Sequence, residues 1–389
     1  MGKSAAEWNA SPKFPATHYV DSRIYTDQAI FEEEVEKLFR PSWIIACHES
    51  EIANAFDYRL FTHPAGVPLI IVRGEDMKVR SFYNICPHRG NTILYDPSGN
   101  AKRMTCIFHQ WSFDARGNCV DISRAEQGYQ DRFCKEDASL REVRCEVGFG
   151  GFVWVNVDDA APSLREFIGD ALGILEPHMH EPMEVFHYHK AHLRTNFKLW
   201  HDTNSEFYHD FIHYFNRITG MMQPGYYDRK YTGFPNGHAT VGSMQIQYDK
   251  YEGSKQRAVG WPGLAPGGWY MVDVFPGMTY NLRTSVMRID TSIPLGPNEV
   301  LIEFRCGGGT KVIVTASTTG TADEQTQIRW EVDDLRAELD ELRSRGVVIE
   351  EYDLPGVKTE NGIADMGIAW IGWITDPGKN VLAIFQRKG

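Results

Sequence analysis

Two short stretches, Cys86-Pro87-His88 and Cys106-Ile107-Phe108-His109, constrain this chain more than anything else in it. Each offers one thiolate and one imidazole. An iron–sulfur cluster needs four ligands converging from two rigid turns, and this pair supplies them. Pro87 and Gly90 fix the first turn, and Trp111 covers the second. Two cysteines would hold the inner iron of a 2Fe-2S centre. Two neutral histidines in place of thiolates on the outer iron remove negative charge and raise its potential, so the centre can accept electrons from a low-potential donor. A structural zinc site of Cys2His2 composition would use the same ligand types. A zinc finger, however, follows its second pair with a helix, whereas strand-like residues flank both loops here.

The bulk of the chain suits a soluble redox enzyme. At 389 residues it exceeds one ordinary core, so two or three domains are expected. Hydrophobic residues at 42% and charged residues at 24% are the balance of a globular protein. The net charge of −12 argues against nucleic acid, whose phosphates call for a basic face. Seven cysteines, an odd number without disulfide-like spacing, favour a thiol or metal reading, with Cys119, Cys134 and Cys145 as plain thiols. The opening MGKSAAEWNASPKF lacks the apolar core of a secretory signal, and no run of about 18 apolar residues occurs. No membrane association is expected, and a bacterial-type cytoplasm is the simplest compartment.

Patterning divides the chain into four. Residues 1–42 include an amphipathic helix over Asp27 to Phe39, expected to pack on a later domain. Residues 43–157 carry short β-branched and aromatic runs broken by Gly, Pro, Asn and Asp, such as PLIIVRG, SFYNIC, MTCIFHQWSF and GGFVWVNV; they predict a small antiparallel β domain. Residues 158–305 open with a helical stretch, LREFIGDALGILEPHM, and continue as an α+β region. Residues 306–389 read as a self-sufficient β-α-β-β-β module whose helix is DDLRAELDELRSRG.

Within NFKLWHDTNSEFYHDFIHYF, His209 and His213 share one helix face and Glu206 lies one turn earlier. Non-haem Fe(II) oxygenases bind iron with two histidines and a carboxylate, leaving positions for O₂ and substrate. His201 is the reserve ligand.

CPHRGN and CIFHQWSFDARGN resemble the Rieske domain of ring-hydroxylating oxygenase α subunits, and the preceding VDSRIYTDQAIFEEEVEKLFRPSWIIACHESEI is similar to their N-terminal region. The resemblance covers about residues 15 to 305, with Gln110 where many relatives have Gly. It implies a Rieske 2Fe-2S cluster on Cys86, His88, Cys106 and His109, and mononuclear Fe(II) on His209 and His213. Glu206 would bridge a mononuclear-site histidine to His109 of a neighbouring subunit, conducting electrons between them. The family generally leaves four residues between its two iron histidines, whereas Asp210, Phe211 and Ile212 stand between these two. It also implies a reductase or ferredoxin donor, O₂, a homotrimer and, in some members, a β subunit.

That resemblance stops at Arg305. From Gly307, IRWEVDDLRAELDELRSRGVVIEEYDLPG and WITDPGKNVLAIFQ resemble half of a vicinal oxygen chelate protein of the glyoxalase and bleomycin-resistance superfamily. The place of that superfamily's metal-binding Glu falls near Ala383, and no histidine follows His238, so the module reads as packing or dimerising. The family's third iron ligand, an Asp on a long C-terminal helix, would have to come from Asp323, Asp333, Asp334 or Asp340, or from water, or be absent. Asp333 and Asp334 also read as helix caps, and Asp340 as part of a solvated face with Arg336 and Arg343.

The expected fold is α+β: a small antiparallel β Rieske domain, an α+β catalytic domain of helix-grip type, and a C-terminal βαβββ module. The expected function is a terminal oxygenase hydroxylating a small organic substrate, aromatic by default. The alternative is a Rieske electron-transfer or catalytically impaired fusion protein lacking a complete iron triad. Trp269, Tyr270, Phe275 and Tyr280 read as core rather than pocket.

Overall fold

The computed structural model describes residues 21–130, 132–179, 183–205, 231–245, 268–283, 286–308, 328–332, 334–344, 346–354, 357–367, 369–375 and 381–388. Asp27 caps helix α1 (Gln28–Glu34) by accepting from the amides of Ala29 and Ile30, and a wider helical turn carries the chain on to Phe39.

The next segment forms β1 (Ile44–His48), β2 (Asp57–His63), β3 (Val67–Arg73), β4 (Val79–Tyr83), β5 (Ser98–Asn100), β6 (Met104–Thr105), β7 (Ser112–Phe113), β8 (Cys119–Asp121), β9 (Glu142–Gly148) and β10 (Phe152–Asn156). Seven of these make an antiparallel sheet ordered β1-β10-β9-β4-β3-β2-β5, and β6-β7-β8 make a small separate one. β1 and β10 are buried at every residue, so their unbroken apolar runs reflect a strand covered on both faces. Ile70, Val72, Phe82, Met104 and Phe113 pack under the two cysteine loops in one cluster with Cys86, Cys106 and Trp111.

The stretch from Leu164 to Met179 is not one helix. Ser163 and Glu166 close a capping box on α3 (Leu164–Ile168), counted after the short α2 (Ala125–Tyr129) of the first domain. Gly169 at φ 55° then turns the chain away, because glycine alone adopts that backbone without a Cβ clash.

A second antiparallel sheet holds β11 (Glu184–Leu193), β12 (Thr232–Gly233), β13 (Ala239–Gln245), β14 (Gly268–Val274), β15 (Met278–Arg283), β16 (Val286–Gly296) and β17 (Glu299–Gly308), ordered β11-β17-β16-β15-β14-β13-β12. Helix α4 (Phe197–Ser205) lies against β16. α1 and the turn after it reach this domain: Glu34 pairs with Lys198 at 2.7 Å, and the Phe39 and Phe197 rings meet edge-on at 5.0 Å. The two sheets share one core, in which Tyr280 stacks on Trp154 at 6.3 Å and meets Phe152 edge-on at 5.6 Å. Tyr280 is therefore core, Tyr270 is half-buried and Phe275 is exposed.

A buried ionic knot ties the same two domains. Arg305 on β17 donates to Glu51 at 3.0 Å, to the Ala46 carbonyl at 2.9 Å and to Glu303 at 2.9 Å. Glu51 also takes Arg59, and Glu303 also takes Lys190 and the Tyr188 hydroxyl. Burial alone would raise the Glu303 carboxyl, but Arg305 and Lys190 outweigh it and hold it below the usual range.

The remaining strands are β18 (Ile328–Glu331), β19 (Asp353–Leu354), β20 (Val357–Glu360), β21 (Ile363–Asp365), β22 (Ala369–Thr375) and β23 (Val381–Arg387), in a sheet ordered β18-β23-β22-β21-β20-β19. β18 runs parallel to β23, so α5 (Leu335–Ser344) is a crossover helix, packing Leu335 and Leu339 on Ile384. Among the described residues, the small cores of this sheet draw only on residues after 331.

Removing Arg305 takes a cationic partner from two buried carboxylates, leaving Glu51 with Arg59 and Glu303 with Lys190 and the Tyr188 hydroxyl. Arg305→Met is expected to cost about 3–5 kcal/mol in a urea melt, and adding Glu51→Gln and Glu303→Gln to recover a substantial part of it.

Candidate metal centre

The first loop follows β4 and the second is the tip between β6 and β7. Each is closed by paired main-chain bonds of the same kind. Cys86 donates to the Asn91 carbonyl and accepts from Gly90; Cys106 donates to the Trp111 carbonyl and accepts from Gln110. Gly90 and Gln110 both adopt positive φ, 72° and 58°. Gln110 thus takes a conformation that Gly adopts freely and L side chains rarely do.

The tips face each other. Cys86 and Cys106 are buried within hydrogen-bonding reach of one another. The His88 and His109 rings lie 4.5 Å apart at 70°. Burial pushes the Cys86 thiol up to about 11 against the downward pull of the His88 amide. For Cys106 burial also acts upward, yet the Phe108 and His109 amides and the Asn91 side chain outweigh it and lower its pKa. Amide groups aimed at sulfur are what an anionic thiolate ligand requires. Burial, His109 and Arg89 together depress the His88 pKa, favouring the neutral imidazole that binds metal.

His88 Nδ1 is buried and has no hydrogen-bond partner among the described residues, while its Nε2 lies 3.2 Å from the Tyr129 hydroxyl. A buried ring nitrogen without a partner is costly unless a metal takes it. Among the described residues no three His, Cys, Asp or Glu side chains close around a single point. Thiol meets thiol and imidazole meets imidazole, the division that two iron atoms call for. These residues fit a 2Fe-2S cluster. Trp111 does not sit on its own loop's ligand: it stacks flat on His88 at 4.7 Å and 6°, because the apposed tips put the residue after one loop over the other. Tyr129 carries no motif and is brought in by the chain after β8, so nothing in the sequence marks it.

Glu206, His209 and His213 lie outside the described residues, as do Asp323 and Asp333. His201 is described. Its Nε2 meets the Ser292 hydroxyl at 3.0 Å, burial pushes its pKa down to about 4, and the Gly277 backbone pulls weakly the other way. It fastens α4 to the sheet. Asp340 is exposed on α5 and paired with Arg343 at 2.7 Å, and Asp334 caps the same helix through the Ala337 amide at 3.1 Å. None of the seven cysteines forms a disulfide; Cys119 is buried, Cys134 exposed and Cys145 half-buried.

Comparison with known proteins agrees with this geometry. Residues 42–140 match the Rieske [2Fe-2S] domain, and residues 180–350 match the ring hydroxylating alpha subunit (catalytic domain). The methanesulfonate monooxygenase hydroxylase subunit alpha of Methylosulfonomonas methylovora is 53% identical over 78% of this chain and 75% of its own. The 2-aminobenzenesulfonate 2,3-dioxygenase subunit alpha of an Alcaligenes species is 43% identical over 78% of each. Naphthalene 1,2-dioxygenase from Rhodococcus shares the fold at a TM-score of 0.65 and 19% identity, covering 77% of this chain and 75% of the other.

The chain belongs to the Rieske ring-hydroxylating oxygenase α subunits. It is a terminal oxygenase that carries a 2Fe-2S cluster and a mononuclear iron and hydroxylates an organic substrate with O₂. The catalytic match runs past Arg305, the last residue of the resemblance read from sequence, to residue 350. No helix among the described residues is long and apolar enough to cross a membrane.

His201 has a pKa lowered by folding, so the unfolded chain binds the extra proton first as acid is added. Stability is expected to fall as pH drops from about 6.5 towards about 4. His201→Gln should flatten that part of a stability–pH profile measured by thermal melting.

Proposed function

We propose that Cys86, His88, Cys106 and His109 hold the cluster, that His209 and His213 hold the mononuclear iron, and that the substrate is a small organic sulfonate. The observation that carries the substrate reading is that two relatives, 53% and 43% identical, act on methanesulfonate and on 2-aminobenzenesulfonate. One of these substrates has no ring, so the aromatic default gives way to the group they share. When bound, the cluster supplies one-electron transfer and the iron supplies O₂ activation. The chain's part is to hold the thiolates and imidazoles in the right protonation state and to keep α4 fixed where it leads into Glu206.

Glu206 is proposed as the bridge to His109 of a neighbouring subunit in a homotrimer, with a reductase or ferredoxin as donor. Ile107 and Phe108, 69% and 62% exposed beside His109, support a covered tip in the assembly. The structure of a quaternary ammonium Rieske monooxygenase, 23% identical at a TM-score of 0.60, reveals insights into inter-subunit electron transfer in that protein. A β subunit and a cytoplasmic location complete the reading. The antiparallel second sheet with α4 upon it supports a helix-grip catalytic domain, and the crossover from β18 through α5 to β19 supports a vicinal oxygen chelate-like half module over residues 306–389.

Anaerobically reconstituted protein should hold about three irons per chain, two in the cluster and one mononuclear. His209→Ala should hold about two and keep the reduced-cluster spin signal, whereas Cys106→Ser should lose that signal. A stable value near two in the unsubstituted chain would instead support the electron-transfer alternative.

With an electron donor supplied, methanesulfonate or benzenesulfonate should raise O₂ uptake and yield hydroxylated product. The carboxylate analogues acetate and benzoate should give at least about tenfold lower kcat/KM, the loss expected when a site built for one polar group meets another. Equal turnover of the analogues would overturn the sulfonate assignment.

A further inference from the structure

The two histidines are not equivalent. His88 is enclosed on three sides: Trp111 stacks on it at 4.7 Å, His109 meets it at 4.5 Å, and Tyr129 approaches edge-on at 6.4 Å with its hydroxyl 3.2 Å from Nε2. Phe133 closes the rear of this cage against both Trp111 and Tyr129, at 5.3 and 5.4 Å. His109 has instead the exposed Phe108 ring at 4.1 Å. Tyr129 ends α2, a short helix whose flanking residues Arg124 and Gln130 are both in left-handed conformations, φ 56° and 51°. That arrangement costs backbone strain at non-glycine residues.

We propose that Tyr129 is a positioning residue that sets the reduction potential of the cluster through His88. The inference rests on the ligand assignment above. With Nδ1 on iron, Nε2 carries the proton and donates it to the Tyr129 oxygen. A polarised N–H makes imidazole a stronger electron donor, which stabilises the oxidised centre and lowers its potential. The ring contacts of Tyr129 with Trp111 and Phe133 hold its hydroxyl beside Nε2, so the bond would persist in both oxidation states of the cluster.

Tyr129→Phe retains the ring and removes the acceptor. Its reduction potential, measured by redox titration of the cluster's visible spectrum, should rise by a several-fold change in the reduction equilibrium, within the tenfold that equals about 59 mV for one electron. Pulsed electron paramagnetic resonance of the reduced protein should show one of two histidine nitrogen couplings shifted and the other unchanged. Phe133→Leu, which loosens the cage but keeps the hydroxyl, should retain the original potential and couplings. If Tyr129→Phe does not hold the cluster, 3-fluorotyrosine at position 129, a poorer acceptor, should raise the potential by a smaller step. An unchanged potential and unchanged couplings in Tyr129→Phe, or in the fluorotyrosine protein where Tyr129→Phe is empty, would overturn the proposal. Failure of the ligand assignment is separately visible: the unsubstituted protein would then show no Rieske spectrum at all.

Discussion

Four side chains from two separate turns must meet, and the fold around residues 44–156 is arranged to make that meeting rigid. Neither tip is held in shape by its cysteine and histidine side chains, which the proposed centre would take up. Each is therefore closed by its own backbone, with one bond from the cysteine amide across the loop and one returning to the cysteine carbonyl. The small hydrophobic cluster beneath holds both tips to the same platform, so moving one ligand pair relative to the other would open apolar contacts around Phe82, Met104 and Phe113. The amides freed by these tight turns point at sulfur and stabilise the thiolates. Structure and electrostatics come from the same turns.

The next requirement is that the cluster domain not drift relative to the catalytic sheet. Two different interactions meet it. Stacked and edge-on aromatic contacts among Trp154, Phe152 and Tyr280 supply non-directional adhesion, with β1 and β10 buried on both faces as a result. Arg305 supplies direction. Its guanidinium can satisfy Glu51 of one domain and Glu303 of the other only in one relative placement, because a buried charge displaced from its partners has no solvent to fall back on. Apolar packing alone tolerates sliding; a buried fork does not.

How much of this could be read from sequence depends on whether a residue's role is local. Cys86, His88, Cys106 and His109 were legible because ligand chemistry fixes residue type and short spacing. The alternating and fully apolar runs gave the strands for the same reason. Arg305 was legible only as the last residue of a likeness, because its partners Glu51 and Ala46 are distant in sequence and nothing local marks a buried arginine. Tyr129 and the cover of Trp111 over His88 depend on how two loops face each other, which a linear pattern does not encode. The helix expected across Leu164 to Met179 failed at Gly169, where a single positive φ outweighs favourable periodicity on both sides.

The third iron ligand is where local and global signals pull apart. Sequence likeness ended at Arg305, yet the catalytic match reaches residue 350 and so includes all four candidate aspartates. Asp334 gives an oxygen to the first turn of α5, a cap worth about 1 kcal/mol that ligation would remove. Asp340 faces solvent with Arg343, on a helix whose apolar side is already turned to Ile384. Moving either from its place would undo that cap or that ion pair on a helix held by Leu335 and Leu339 against Ile384.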